Sequence, residues 1–271
     1  MRIKIYLKTI RPEIQFVYFL CMMVGVVVSG GKSALFQPLT WVGVSGFLLV
    51  YFGCYFINAY ADIDIDKINK PDRPSVKGEI TKDELLTATF ISYLSGLLII
   101  RYVNFNLFVI GASIAFLGTI YSLKPLHLKS RHIFCTLTLV WAHTAAILGG
   151  AAIITLNNEF LWKVVFIQAL IAFFVTFSKD IHDIEGDIKY GIKTLAGLLG
   201  EKKSKMFLLP LPFLPLLYLL VPEINILALL SVGFVWALYP LRKNRFLKTF
   251  VRSVKITNLQ NILILLILLI H

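Results

Sequence analysis

Apolar runs of about 20 residues, enough for a helical membrane span, recur nine times along the chain. They fall at 12–30, 39–61, 83–101, 105–121, 132–153, 160–178, 203–221, 223–240 and 253–270. The pattern predicts an all-α, polytopic membrane protein with nine transmembrane helices. The first run carries no small-x-small cleavage pattern near its end and eight more follow it, so it reads as a span and not a signal peptide.

The polar positions between the runs are sorted by charge. The N-terminal tail and the loops after spans two, four, six and eight hold 24 of the 27 Lys and Arg residues. Basic residues concentrate in cytoplasmic loops, so this alternation predicts a cytoplasmic N-terminus and an external C-terminus. The same sorting explains the net charge of +12, which on a soluble chain would have suggested nucleic acid as a partner. Here none is expected.

Composition agrees with the pattern. Hydrophobic residues make up 58% of the 271 positions and charged ones 15%, with a mean hydropathy of +0.79. A soluble domain is near half apolar and a quarter charged, so soluble enzymes, secreted domains and disordered scaffolds are excluded. Cys21, Cys54 and Cys135 lie in apolar runs without paired spacing. They read as small apolar residues, not as a disulfide framework or a zinc site.

Of the 15 acidic residues, 12 fall in two places: the end of span two with its loop, and the end of span six with its loop. Asp62 and Asp66 match Asp183 and Asp187 at an offset of 121 residues. The chain therefore reads as one membrane-embedded domain, 1–271, with pseudo-repeat halves at about 12–121 and 132–240, two four-helix units followed by a ninth helix.

Asn58, Asp62 and Asp66 are four residues apart and share a helix face, as do Asp180, Asp183 and Asp187. Like charges on one face destabilise a helix, and both sets sit at helix C-termini, where the macrodipole already favours cations. A divalent cation relieves both conflicts, and oxygen-only ligands favour Mg2+ over zinc or copper. Arg73, Lys124, Lys129, Lys179, Lys189 and Lys193 fall on the same side of the membrane. Metal plus basic side chains suits a polyanion, most simply a diphosphate, and apolar helices beside it suit one with an oily tail, such as a prenyl diphosphate.

Other polar residues have plainer readings. Asp64, Asp72, Glu79, Glu84 and Glu185 read as solvated loop acids, and His182 as a surface residue. The stretch from Asp62 to Arg73 starts like a calcium loop but has Lys67 where glycine is needed and Arg73 where the last glutamate belongs. His143, inside span five, reads as a satisfied core histidine or as part of an acceptor pocket. Gly149 and Gly150 with neighbouring alanines read as close helix packing.

At these residues the chain resembles the UbiA superfamily of intramembrane prenyltransferases. Asn58, Asp62 and Asp66 match its NxxxDxxxD motif, followed by Lys-Ile-Asn-Lys-Pro-Asp-Arg-Pro at 67–74. Asp183 and Asp187 match its DxxxD motif, with Gly191-Ile-Lys-Thr194 downstream. Tyr121-Ser122, Pro125 and Lys129 resemble its third loop motif, although Pro125 stands where the usual YxxxK spacing has lysine. The resemblance implies a bundle around a central cavity capped by cytoplasmic loops, opening to the cytoplasmic side. It implies two Mg2+ ions held by Asn58, Asp62, Asp66, Asp183 and Asp187, and Asp180, on the same helix face as the last two, is a further candidate ligand. The four motif aspartates would be catalytic, and Arg73, Tyr121, Lys124, Lys129, Lys179 and Lys189 would hold the substrate diphosphate.

The expected reaction is Mg2+-dependent transfer of a prenyl group from a polyprenyl diphosphate to a lipophilic acceptor, releasing diphosphate. The Asn-Lys-Pro-Asp-Arg-Pro stretch looks like members that alkylate a glyceryl phosphate lipid; Lys179 to Asp187 also looks like members acting on aromatic quinone-type precursors. Membrane lipid is expected around the chain and no obligate protein partner is evident. A secondary transporter or divalent-cation carrier would place ionisable groups near the bilayer midplane. A CDP-alcohol phosphotransferase would carry a DGxxAR opening, which this chain lacks.

Overall fold

The computed structural model describes the whole chain except Met1, residues 190–192, Asn244 and His271; the side chains of Ile68, Asn69, His132, His182, Asp183, residues 185–189, Arg242 and Lys243 are also outside the described residues. Helices dominate the described residues. A short amphipathic helix, α1 (Arg2–Ile10), precedes α2 (Pro12–Gly30) and α3 (Pro38–Ala61). After a one-residue break at Asp62 come α4 (Ile63–Asn69), α5 (Lys82–Val103), α6 (Phe105–Ser122), α7 (His132–Ala152) and the long α8 (Glu159–Lys189). A two-residue strand, Lys193–Thr194, leads into α9 (Leu195–Phe207), and α10 (Leu230–Leu238) and α11 (Phe246–Ile270) complete the bundle.

Local chemistry sets several boundaries. Pro12 and Pro38 occupy first helical positions, where the missing N–H is no loss. Thr81 and Glu84 form a reciprocal capping box at the start of α5. The tight turn into α6 is made by Asn104, whose Oδ1 accepts from the Leu107 N–H at 2.8 Å while its Nδ2 donates to the Ala152 carbonyl at 2.7 Å.

Among the described residues, eight helical segments are long and apolar enough to cross a membrane, and nine if the bent pair Leu195–Phe207 and Leu211–Leu220 counts as one. Eight of the nine runs expected from sequence correspond to the eight straight segments. The run at 203–221 differs: α9 and the following 3-10 segment meet at 56°. Pro210, Pro212 and Pro215 explain the difference, because each removes an N–H donor and crowds the preceding turn. The chain is a multi-pass membrane protein, and Phe90, Ile91, Leu94 and Leu98 of α5 form an exposed apolar face suited to lipid.

The core lies where α2 crosses α7. A Cβ on Gly150 would stand 1.9 Å from the Met22 carbonyl oxygen, and one on Gly25 would stand 1.9 Å from that of Ile147. Only glycine permits this backbone contact, so the packing role expected for Gly150 holds. Buried amides tie further helices to this seam: Gln168 donates to Asn261 at 2.7 Å, and Gln260 donates to the Tyr218 hydroxyl at 2.8 Å. In an apolar surround such bonds hold helices together because water cannot replace them. Gly150→Val is expected to lower stability by about 3 kcal/mol, read as a lower melting temperature in detergent, whereas Leu98→Ala on the lipid face should leave it nearly unchanged.

Candidate active site

The last turn of α3 delivers Asn58 and Asp62 to one end of the bundle. Asp62 caps the helix, and the ladder continues past the break: the Asp62 N–H donates to the Asn58 carbonyl at 3.0 Å, and the Asp66 N–H donates to the Asp62 carbonyl at 2.8 Å. Asp62 and Asp66 therefore stay on one stripe and both are buried, at 3% exposure. Asp64, between them, is exposed and pairs with Lys67, which holds its carboxyl below the usual range. The solvated position expected of Asp64 is the one observed.

Buried carboxylates need compensation, and loops from elsewhere in the chain supply it. Lys129, from the loop after α6, donates to Asp62 Oδ2 at 2.6 Å, and Asn58 Nδ2 donates to the same oxygen at 3.1 Å. Arg73, from the loop after α4, forms an ion pair with Asp66. Asp62 Oδ1 is buried and has no hydrogen-bond partner. An orphaned carboxylate oxygen is costly, and as a hard oxygen ligand it suits a divalent cation such as Mg2+.

The second acidic region approaches the first. Arg131 bridges to Lys193, joining the loop before α7 to the strand after α8. Asp180 of α8 is buried and accepts from the Thr136 hydroxyl at 3.2 Å. The phenol of Tyr121 lies within electrostatic reach of both Asp62 and Asp180, so the two acidic helix ends meet around it. Among the described residues no three acidic, histidine or cysteine side chains form a ready metal cage; the side chains of Asp183, Asp187 and Lys189 lie outside the described residues.

A cavity of about 340 Å³ runs inward from this mouth. Asn58, Asp62, Arg73, Tyr121, Lys129 and Lys179 line it, whereas Lys124 is exposed and outside the lining. His127 stands near Lys129, and burial followed by that cation holds its imidazole below the usual range, so it adds no charge to the mouth at neutral pH. Deeper in, the wall turns aromatic. Tyr18 and Tyr51 stack with ring centroids 4.0 Å apart, and Tyr55 and Trp141 complete the lining. His143 combines the two roles considered for it: it lies within 3.4 Å of Gln168 Oε1 and also lines the cavity. Sequence reasoning missed Arg11, whose guanidinium lies 5.5 Å from the Tyr55 ring centroid, and Thr136 beneath Asp180. Neither carries a local pattern, since both matter only through distant partners.

A charged mouth with buried acids, opening into an aromatic-walled chamber, suits a polar head joined to an apolar tail. The profile of the UbiA prenyltransferase family matches residues 18–259. The chain belongs to the UbiA prenyltransferase family. It is 30% identical to digeranylgeranylglyceryl phosphate synthase of Pyrococcus abyssi over 76% of this chain and 73% of that protein. It is 33% identical to a chloroplastic 2-acylphloroglucinol 4-prenyltransferase of Humulus lupulus over 61% of this chain and 43% of that one. The fold is similar to that of a UbiA homologue from Archaeoglobus fulgidus bound to GPP and Mg2+, with a TM-score of 0.76, 19% identity, and 97% of this chain and 99% of that chain covered. The protein is thus a membrane-embedded prenyltransferase.

Lys129→Met leaves the Asp62 carboxylate buried without its cation and is expected to destabilise the metal-free protein by about 3 kcal/mol. Lys129→Arg should recover most of that loss in the same thermal melt.

Proposed function

We propose that the protein transfers a prenyl group from a polyprenyl diphosphate to a lipophilic acceptor, either a glyceryl phosphate lipid or an aromatic quinone-type precursor. The observation that carries this reading is Asp62: buried, with one carboxylate oxygen unpartnered, at the mouth of an aromatic-walled cavity. Two Mg2+ ions would be held by Asn58, Asp62 and Asp66 on one side and by Asp180, Asp183 and Asp187 on the other. When bound, they neutralise the negative charge that gathers on diphosphate as it leaves.

The side chains of this chain do the rest. Lys129 and Arg73, already at the mouth, hold the diphosphate and stabilise it as the C1–O bond breaks with its electron pair. Tyr121 orients it, and Lys179, in the same lining, adds positive charge, as Lys189 would. The ring faces of Tyr18, Tyr51, Tyr55 and Trp141 suit a positive prenyl fragment, and the apolar walls keep water from capturing it. The acceptor bonds to C1 and loses its proton. The distribution of basic residues supports a mouth on the cytoplasmic side, with a cytoplasmic N-terminus and an external C-terminus. Comparable Mg2+-bound ligands in the Archaeoglobus fulgidus homologue support the same class of donor. A carrier that alternates access would put its acids near mid-membrane; Asp62 and Asp66 sit at a helix end.

The test is diphosphate release from a labelled prenyl diphosphate by purified protein in detergent. Asp62→Ala and Asp183→Ala are each expected to lower turnover by about 10³-fold or more while membrane insertion is unchanged; near-normal rates would overturn the ligand assignment. Chelation should abolish release, and added Mg2+ should restore it.

A further inference from the structure

Beside the mouth lies a second cavity of about 640 Å³, between the α1–α2 corner, Ala59 at the end of α3 and the loop through Ser75. Arg11, Ile14, Lys70 and Arg73 line both cavities, so the two are contiguous. Charged side chains are prominent in its lining: Lys8, Arg11, Lys70 and Arg73, with Glu13 and Asp72. Much of that charge is already engaged. Asp72 pairs with Lys77 at 2.8 Å, Arg73 pairs with Asp66, and Lys8 donates one of its N–H groups to the Asp72 carbonyl at 3.1 Å. Arg11 differs, because its guanidinium rests over Tyr55 and forms no ion pair among the described residues.

An independent observation points to an anion at this place. Ser75 is 7% exposed, lines the same cavity, and its hydroxyl has no hydrogen-bond partner. A buried hydroxyl tolerates this poorly. Arginine with a neighbouring lysine and an unpaired hydroxyl is a donor set suited to phosphate oxygens. The donor's diphosphate belongs at Asp62 and Lys129, inside Arg73, and this second space lies on the other side of Arg73. Half of its twelve lining residues are charged, which suits a head group.

We infer that this vestibule holds the phosphate monoester of the acceptor through Arg11, Lys8 and Ser75. The acceptor is then an isoprenyl glyceryl phosphate and not an uncharged aromatic ring. Its hydroxyl enters the shared mouth past Ile14 and attacks C1; a C–O bond forms, the C1–O bond to diphosphate breaks, and the hydroxyl proton is released. The inference rests on the prenyl-transfer reading above and deepens it.

The experiment uses full-length protein in detergent, with geranylgeranylglyceryl phosphate and the same lipid lacking phosphate as paired acceptors, and a labelled prenyl diphosphate as donor. Wild type should prefer the phosphorylated acceptor. Arg11→Gln should raise the KM of that acceptor about tenfold or more, with a smaller rise for Lys8→Gln and for Ser75→Ala, and with donor KM changed by less than about twofold. Arg11→Lys should recover part of the loss, which shows that the fold is intact. Equal use of both acceptors by wild type, an unchanged acceptor KM in Arg11→Gln, or a rise confined to the donor KM would each overturn the inference. Direct calorimetric binding of the phosphorylated lipid separates the two levels. Arg11-dependent binding without any diphosphate release would keep the vestibule and sink the transferase reading. Release without Arg11-dependent binding would do the reverse.

Discussion

Two buried carboxylates at the C-terminal end of α3 impose the constraint that organises this molecule. Asp62 and Asp66 lie where the helix dipole is already negative and where solvent cannot spread their charge. Burial there calls for a cationic partner for each. Lys129 arrives from the loop after α6 and Arg73 from the loop after α4, so two polar segments are drawn across one end of the bundle. The cap over the cavity is therefore a consequence of charge balance as much as of chain connectivity. The half-satisfied state of Asp62, one oxygen paired and one not, is what turns a structural ion pair into a site.

The apolar interior is built on the opposite principle. Where α2 and α7 meet, side chains are absent and backbones touch; elsewhere a few buried amides bridge α8, α11 and the 3-10 segment before α10. Both devices work in lipid, where burying apolar area drives helices together far less than in water. Together they hold the stacked Tyr18 and Tyr51 rings in the cavity wall.

Much of this was legible from residues alone because it is local or periodic. Apolar run length located the spans, and four-residue spacing put Asn58, Asp62 and Asp66 on one stripe and turned Asp64 outward. The three prolines at 210, 212 and 215 were visible too, yet their segment is so apolar that averaging over 20 residues hid the 56° bend. The cavity lining was less accessible. Tyr18, Tyr55 and Trp141 look like any aromatic in a span until three helices face one another, and Arg11 reads as one more basic residue at the N-terminus. Lys129 could be placed in the right loop, but its choice of Asp62 as partner depends on how that loop folds. His143 shows why either-or readings fail: a histidine can face a buried amide and a cavity at once.

The glycine seam also has a mechanical meaning. Backbones in direct contact have no rotamers to rearrange, so α2 and α7 form a hinge-free spine that neither slides nor rolls. Any breathing that lets a bulky lipid pass in or out must fall on elements joined through side chains, and the kinked, donor-poor stretch around Pro210 to Pro215 is the most compliant of these.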